Sequence, residues 1–432
     1  MKINLAMIVR NEERCLRRSL EAAASFVDDI IIVDTGSTDQ TKEIAAGFGE
    51  ATGKRVLLYD FTWTHDFSAA RNFSLIKSET DGGADYSLWI DADERLRTTK
   101  LSSREGLEAF IRETETKMSE VQGAGATRAE VQNAETQSAA MPGPAAWCGS
   151  VRLVEERKGP KGEPLTCLTI VPRILPRGVR CRGIVCETPD IGSDGETKRT
   201  SSTAEHMEAP ALSPQLSPLL IDHDSGGREA KNERKLPYLI RAMAVEPDEP
   251  FWKYQMAAAL VSLQRTEESL PYFDEFYRMI LQRYPDVTDQ SEYREPYARQ
   301  GILAYLYALD EMRGEKYREK ALHILLRQEP HMHRSADFYF FCGDFFMELV
   351  QTRTQRYITY LPRVEQSFVR CLQIGENTED SVVIGSGSFR AFYRLGVWYE
   401  LTNQPQHARA CYESAAQMGY EPAMRRMGMY KQ

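Results

Sequence analysis

The first hundred residues alternate short apolar runs with longer stretches in which apolar positions recur every three or four residues. This pattern predicts strands over residues 3–9, 29–34, 55–61 and 86–91, each short and nearly all apolar. Continuous apolar strands suit a parallel sheet with both faces covered by helices. Between them Leu16, Leu20, Ala23 and Val27 form one helical stripe, and Ile44, Ala45 and Phe48 part of another. The prediction is an open α/β sheet, with ligands bound beyond the carboxyl ends of its strands.

Residues 113–146 are dominated by Glu, Thr, Gln, Ala, Gly and Ser, and so few large apolar side chains predict a mobile, partly helical insertion. Strand patterning returns over 147–154, 165–175 and 179–185, followed by a second polar stretch over 192–218. From Arg228 onward the period is helical. Phe392, Leu395, Gly396, Tyr399, Ala408, Tyr412 and Ala415 match one tetratricopeptide helix-turn-helix unit, which Pro422 is expected to close. Trp252, Met256, Ala257, Leu260, Phe273 and Phe276 form a looser copy, with helices expected over 297–309, 316–327 and 338–349. The predicted architecture is an α/β domain over 1–228, with 113–146 and 192–218 as insertions, then an all-α repeat domain over 229–432. The aromatic residues of the second domain are read as core, because stacked repeats need them to bury adjacent units.

The chain has 432 residues, and Lys+Arg 54 against Asp+Glu 63 leaves a net charge of -9. That balance disfavours a general nucleic-acid or anionic-membrane binder. No run of about 18 apolar residues encodes a spanning helix. The opening apolar run is cut at Arg10-Asn11-Glu12-Glu13, too early for a signal peptide. Cys15, Cys148, Cys167, Cys181, Cys186, Cys342, Cys371 and Cys411 form no CxxC pair, which suits reduced thiols and makes cytoplasm the expected location.

Every predicted strand of the first sheet ends in polar residues. Asp34-Thr35-Gly36-Ser37 follows the second: Gly36 permits a sharp turn, and Ser37 with Gln40 has capping-box spacing, so a helix should begin there and offer N–H groups to an anionic or ribose-bearing ligand. Asp91 and Asp93, two apart after an apolar strand, point the same way and repel unless a cation lies near them. Mg²⁺ or Mn²⁺ suits such hard oxygen ligands. Glycine-rich dinucleotide and P-loop signatures are absent.

Four ordered segments, Met7-Ile8-Val9-Arg10-Asn11-Glu12-Glu13, Val33 to Asp39, Phe61-Thr62-Trp63 with Asp66 to Asn72, and Trp89-Ile90-Asp91-Ala92-Asp93-Glu94, resemble those of family-2 glycosyltransferases with the GT-A fold. The chain looks like the bacterial subgroup with carboxyl-terminal tetratricopeptide repeats, which includes glycosyltransferases of bacteriocin peptides. The resemblance implies a nucleoside-diphosphate sugar donor, UDP being the first expectation, and inverting transfer to a peptide, protein or glycan. It places Val9, Asn11 and Asp34 in the nucleotide pocket and Arg71 and Asn72 near the ribose or diphosphate, with Asp66 fixing that segment. It makes Asp91 and Asp93 the DxD pair, with Asp93 the more direct ligand of Mn²⁺ or Mg²⁺ and a catalytic residue, and puts His223 where the family adds a metal-binding histidine. Glu187 aligns with a His-Glu stretch and is the expected catalytic base, with Cys186 in place of the histidine; Arg173 or Arg182 is a candidate for the departing diphosphate charge. A non-catalytic repeat protein with a vestigial sugar-nucleotide domain is the alternative, a nucleotidyltransferase is a weaker third reading, and the oligomeric state is left open.

Overall fold

The computed structural model describes residues 1–125, 147–159, 162–190, 215–224, 228–284, 293, 295–377 and 381–429. The chain divides into two compact units, Met1–Glu155 with Thr169–Asp224, and Glu156–Leu168 with Ser225–Gln432. The expected boundary after residue 228 lies close to the second break. The first break was not expected: Glu156–Leu168 groups with the helical unit, where Leu168 and Cys167 pair with the two-residue strand Val382–Val383.

In the first unit β1 (Ile3–Val9), β2 (Ile30–Asp34), β3 (Val56–Asp60) and β4 (Tyr86–Trp89) are joined by α1 (Leu16–Ala23), α2 (Thr41–Thr52) and α3 (Phe67–Thr80). β2 pairs parallel to β1 and β3, and β4 pairs parallel to β1 on its other side. Val9 is in register with Asp34, and Asp34 with Asp60, so the carboxyl ends of three strands are level. Leu16, Leu20 and Ala23 of α1 are buried at intervals of four and three, as the stripe predicts, while Val27 is buried just beyond the helix.

The chain continues with β5 (Glu94–Arg97), α4 (Arg104–Gly125), β6 (Gly149–Lys158), β7 (Pro164–Pro176), β8 (Arg180–Arg182), β9 (Thr188–Asp190) and β10 (Gln215–His223); β8 and β9 pair with each other as a separate two-stranded sheet, and the other strands extend the first sheet in the order β3-β2-β1-β4-β7-β6-β10-β5. The first sheet is mixed rather than wholly parallel: β7 runs antiparallel to β4, and β5 antiparallel to β10. β1 and β7 occupy both edges of β4, so β5 pairs with β10 instead. Of the two expected insertions, 126–146 and 191–214 lie outside the described residues. Residues 113–125, in the part expected to be partly helical, complete α4, whose buried Leu107, Ile111 and Thr114 and partly buried Met118 extend one stripe at helical spacing. Gln215 to Pro218 belong to β10. The helix expected at Ser37 begins at Thr41, because the Ser37 hydroxyl is taken by the Asn11 N–H at 2.9 Å.

The second unit is helical: Arg228–Val245, Pro250–Ser262, Thr266–Arg283, Pro296–Glu311, Glu315–Gln328, Ala336–Thr352, Leu361–Ile374, Phe389–Leu401, Pro405–Gln417 and Glu421–Met429 follow one another along the chain. It is a tetratricopeptide-like stack of helix pairs. Pro250, Pro296 and Pro405 open their helices, where the missing N–H has no intrahelical partner to lose. Pro422 likewise sits in the first turn of Glu421–Met429, so it starts a helix instead of closing the repeat. Phe273, Phe276, Tyr305, Phe338, Phe346 and Phe368 are fully buried. Gly343 and Gly396 admit two of the rings: a β-carbon would lie 2.5 Å from Phe368 at the first and 2.6 Å from Tyr412 at the second. The expected glycine position of the last repeat is therefore a point of helix-to-ring contact.

Candidate active site

The ends of β1 and β2 are laced together. Thr35 N–H donates to the Val9 carbonyl at 3.0 Å, and Asn11, in the left-handed region at φ 56°, accepts from Thr38 N–H at 2.8 Å while its own N–H donates to Ser37. Asp34 is only 1% exposed. Its Oδ1 accepts from the N–H groups of Gly36 and Ser37 at 2.9 and 2.8 Å, whereas Oδ2 is buried without a hydrogen-bond partner among the described residues. A buried polar atom of this kind marks a place where water or a ligand completes the bonding. Lys42 Nζ stands 3.9 Å from Asp34 Oδ1 and is paired with Asp60.

Asp66 caps α3, accepting from Ala69 N–H at 3.1 Å, and thereby sets the direction in which the helix projects Arg71 and Asn72. Asn72 does not face a ligand. Its amide donates to the Cys181 carbonyl at 2.9 Å and accepts from the Cys181 N–H at 2.7 Å, so both functions of the side chain hold β8. Arg71 is 1% exposed; it donates from Nη2 to Asp91 Oδ1 at 3.0 Å and lies 3.6 Å from Glu187 Oε1 through Nε. The side chain of Glu187 is largely shielded, and Cys186 before it takes a left-handed φ of 54°.

Arg173 lies beside Arg71, and both guanidiniums rest on the Trp89 ring, at 3.8 and 4.0 Å from its centroid. A guanidinium over an indole face is attracted by the ring quadrupole. Arg173 donates to Glu94 Oε1 at 2.6 Å and stands 3.8 Å from Asp91 Oδ2. Burial would push the Asp91 carboxyl up, but Arg173 and Arg71 outweigh it and hold it below the ordinary carboxylate range. Asp91, Arg71 and Glu187 thus form one charged chain. Arg182 is exposed in β8.

Asp93 turns instead to β10. Its Oδ2 is 3.2 Å from His223 Nε2, and His223 Nδ1 is 3.4 Å from Oε1 of Glu155, a residue 3% exposed. The expected set Asp91, Asp93 and His223 is therefore not assembled: among the described residues no group of three or more His, Cys, Asp or Glu side chains is placed to hold a metal, and Asp91 is drawn away by Arg71. What remains is a carboxylate and an imidazole, with a second carboxylate behind the imidazole. That donor set fits a divalent cation bound by two protein ligands and completed from outside, since a carboxylate on the far ring nitrogen fixes a ligating histidine. Nothing in the local sequence assigned Glu155 a role. Its signal is parity: in β6 it shares the face of Val151 and Leu153, where an apolar residue is expected.

Comparison with known proteins agrees with this geometry at the amino-terminal end. Residues 5–104 match the family described as Glycosyl transferase family 2. Over 95 residues the chain is 40% identical to a TPR repeat-containing protein of Synechococcus elongatus, covering 22% of this chain and 21% of that one. The chain thus matches about a fifth of the length of that curated relative. Solved structures similar to it include MamA from Desulfovibrio magneticus (16% identity, TM-score 0.30, covering 45% of this chain and 89% of the other). Another is a thermophilic TPR protein of Thermus thermophilus (17% identity, TM-score 0.31, covering 45% and 91%). No helix among the described residues is long and apolar enough to cross a membrane.

Proposed function

We propose that the chain is a metal-dependent inverting glycosyltransferase that moves a sugar from a nucleoside-diphosphate sugar, UDP being the first choice, to a peptide, protein or glycan acceptor. The observation that carries this reading is the gathering of Asp34, Asp91, Asp93, Arg71 and His223 at one end of a sheet whose strands β2, β1 and β4 are neighbours. Asp34 Oδ2, with no protein donor among the described residues, would accept from the base or ribose. Asp93 and His223 would hold Mn²⁺ or Mg²⁺, the imidazole favouring Mn²⁺, and the ion would supply positive charge to the diphosphate. Arg71 and Arg173 balance negative charge near Trp89.

In the transfer, an acceptor hydroxyl or thiol attacks the anomeric carbon. The new bond forms as the bond from that carbon to the diphosphate oxygen breaks, with the electron pair leaving on the diphosphate. Glu187 takes the acceptor proton. The helical unit would present the acceptor. The test is incubation with a panel of nucleotide sugars and Mn²⁺, following release of nucleoside diphosphate by chromatography. Release that requires both a matched donor and the cation is expected; silence toward every donor, with or without candidate acceptor peptides, leaves the non-catalytic repeat protein as the better reading.

A further inference from the structure

We infer that Glu94 is a positioning residue of this site: one buried carboxylate fixes the Asp91 turn and the Arg173 head relative to each other. The inference rests on the proposed transferase reading and adds a residue to it. Glu94 is 2% exposed, yet no apolar side chain replaces it at the start of β5. Its Oε2 accepts from the Asp91 N–H at 2.9 Å, and its own N–H donates to the Asp91 carbonyl at 2.9 Å, so the turn carrying Asp91, Ala92 and Asp93 is closed from both sides. Its Oε1 accepts from Arg173 Nη2 at 2.6 Å. Its backbone is the register partner of His223 in the β5 and β10 pair, and the Asp224 N–H next to it donates to the Asp93 carbonyl at 3.0 Å.

The physical consequence is specific. A carboxylate shared between a guanidinium and a backbone N–H cannot move toward one without lengthening its bond to the other, so the Asp91 turn and the Arg173 head are held at a fixed separation. Glutamine at this position has a single oxygen, so it can accept either from the Asp91 N–H or from Arg173, and its amide N–H₂ then faces the other donor. Alanine removes both contacts. A residue that only stabilised the sheet would change melting; one that positions the reacting groups changes turnover at unchanged donor binding.

The experiment compares Glu94→Gln, Glu94→Asp and Glu94→Ala with the parent chain. It reads nucleoside-diphosphate release with Mn²⁺, thermal melting, and hydrogen exchange of the Asp91 amide. Expected are a fall in kcat of about 10-fold for Glu94→Gln and about 100-fold for Glu94→Ala, with donor KM within about twofold. The Asp91 amide should exchange at least about tenfold faster in Glu94→Ala while the amides of β1 keep their protection. Folded Glu94→Gln and Glu94→Ala proteins with kcat within about twofold of the parent, or unchanged exchange at Asp91, would overturn the assignment. Should Glu94→Ala fail to fold, the Gln and Asp variants carry the kinetic comparison. If the parent itself releases no nucleoside diphosphate, the transferase reading fails, and the exchange measurement alone still decides whether Glu94 fixes the turn.

Discussion

Glu94 and Phe338 are equally shielded from water, and they are buried for opposite reasons. Glu94 is met by the Arg173 guanidinium and the Asp91 N–H, and the charged cluster continues outward through the half-exposed Asp91 carboxylate to Arg71 and Glu187. Around Phe338 the interior is a mass of rings and aliphatic chains in which Phe340, Phe341, Phe345, Phe346 and Phe368 crowd together. Burying charge is unfavourable unless every charge is matched, and removing one partner leaves the other stranded. Burying a ring is favourable by itself. The first region is therefore arranged at the expense of stability, the second for it, and substitutions should separate activity from stability accordingly.

The largest effect is expected at Asp93. Asp93→Ala should abolish nucleoside-diphosphate release while the melting midpoint stays within about 2 °C, a shift small on the scale of a domain; full turnover by this variant in metal-free buffer would remove Asp93 from the site. Next comes Phe368→Ala, which empties the space against Gly343 and should lower stability by about 3–5 kcal/mol in denaturant titration. A loss below about 1 kcal/mol would mean that this ring is not a keystone of the helical core.

Asp337 blurs the contrast, being an acid inside the aromatic region. Burial pushes its carboxyl up to about 6 from 3.8, despite the Ser386 hydroxyl and the Val383 N–H donating to it. The folded state thus holds this proton more tightly than the unfolded chain. Its contribution is fully present below about pH 4 and is lost as pH rises through about 6, by at most about 1.4 kcal/mol per pH unit. Melting midpoints across that window should fall for the parent and be flatter for Asp337→Asn; parallel curves would show that another group sets the slope. Smallest of all, Arg278→Ala removes an exposed pair with Glu275 one turn away and should leave the melting midpoint unchanged within error.

Much of the first sheet was legible because a buried parallel strand is written as a local apolar run. β1 matches its expected limits, and β2, β3 and β4 differ by a residue or two at their ends. The pattern says nothing of what lies beside a strand, so the antiparallel placement of β7 and β5 was missed. The same limit explains the site. Asp34, Asp91 and Asp93 stand at predicted strand ends and could be picked out; that Arg71 would take Asp91, or Asn72 bind Cys181 109 residues away, depends on tertiary register. The end of α4, residues 113–125, fell in the expected partly helical insertion, because its Glu- and Thr-rich composition hides that it continues the Leu107, Ile111 and Thr114 stripe. Repeat spacing located the helical pairs, but left Leu361–Ile374 unseen and gave Pro422 the wrong end of a helix.

The indole of Trp89, with a guanidinium at about van der Waals distance from its ring on two counts, is an optical probe already installed in the protein. Its emission senses the electric field of those cations, and any anion that draws on them alters that field. With Trp63, Trp147, Trp252 and Trp398 replaced by phenylalanine, nucleotide titrations could be followed by light alone, without isotope, dye or turnover.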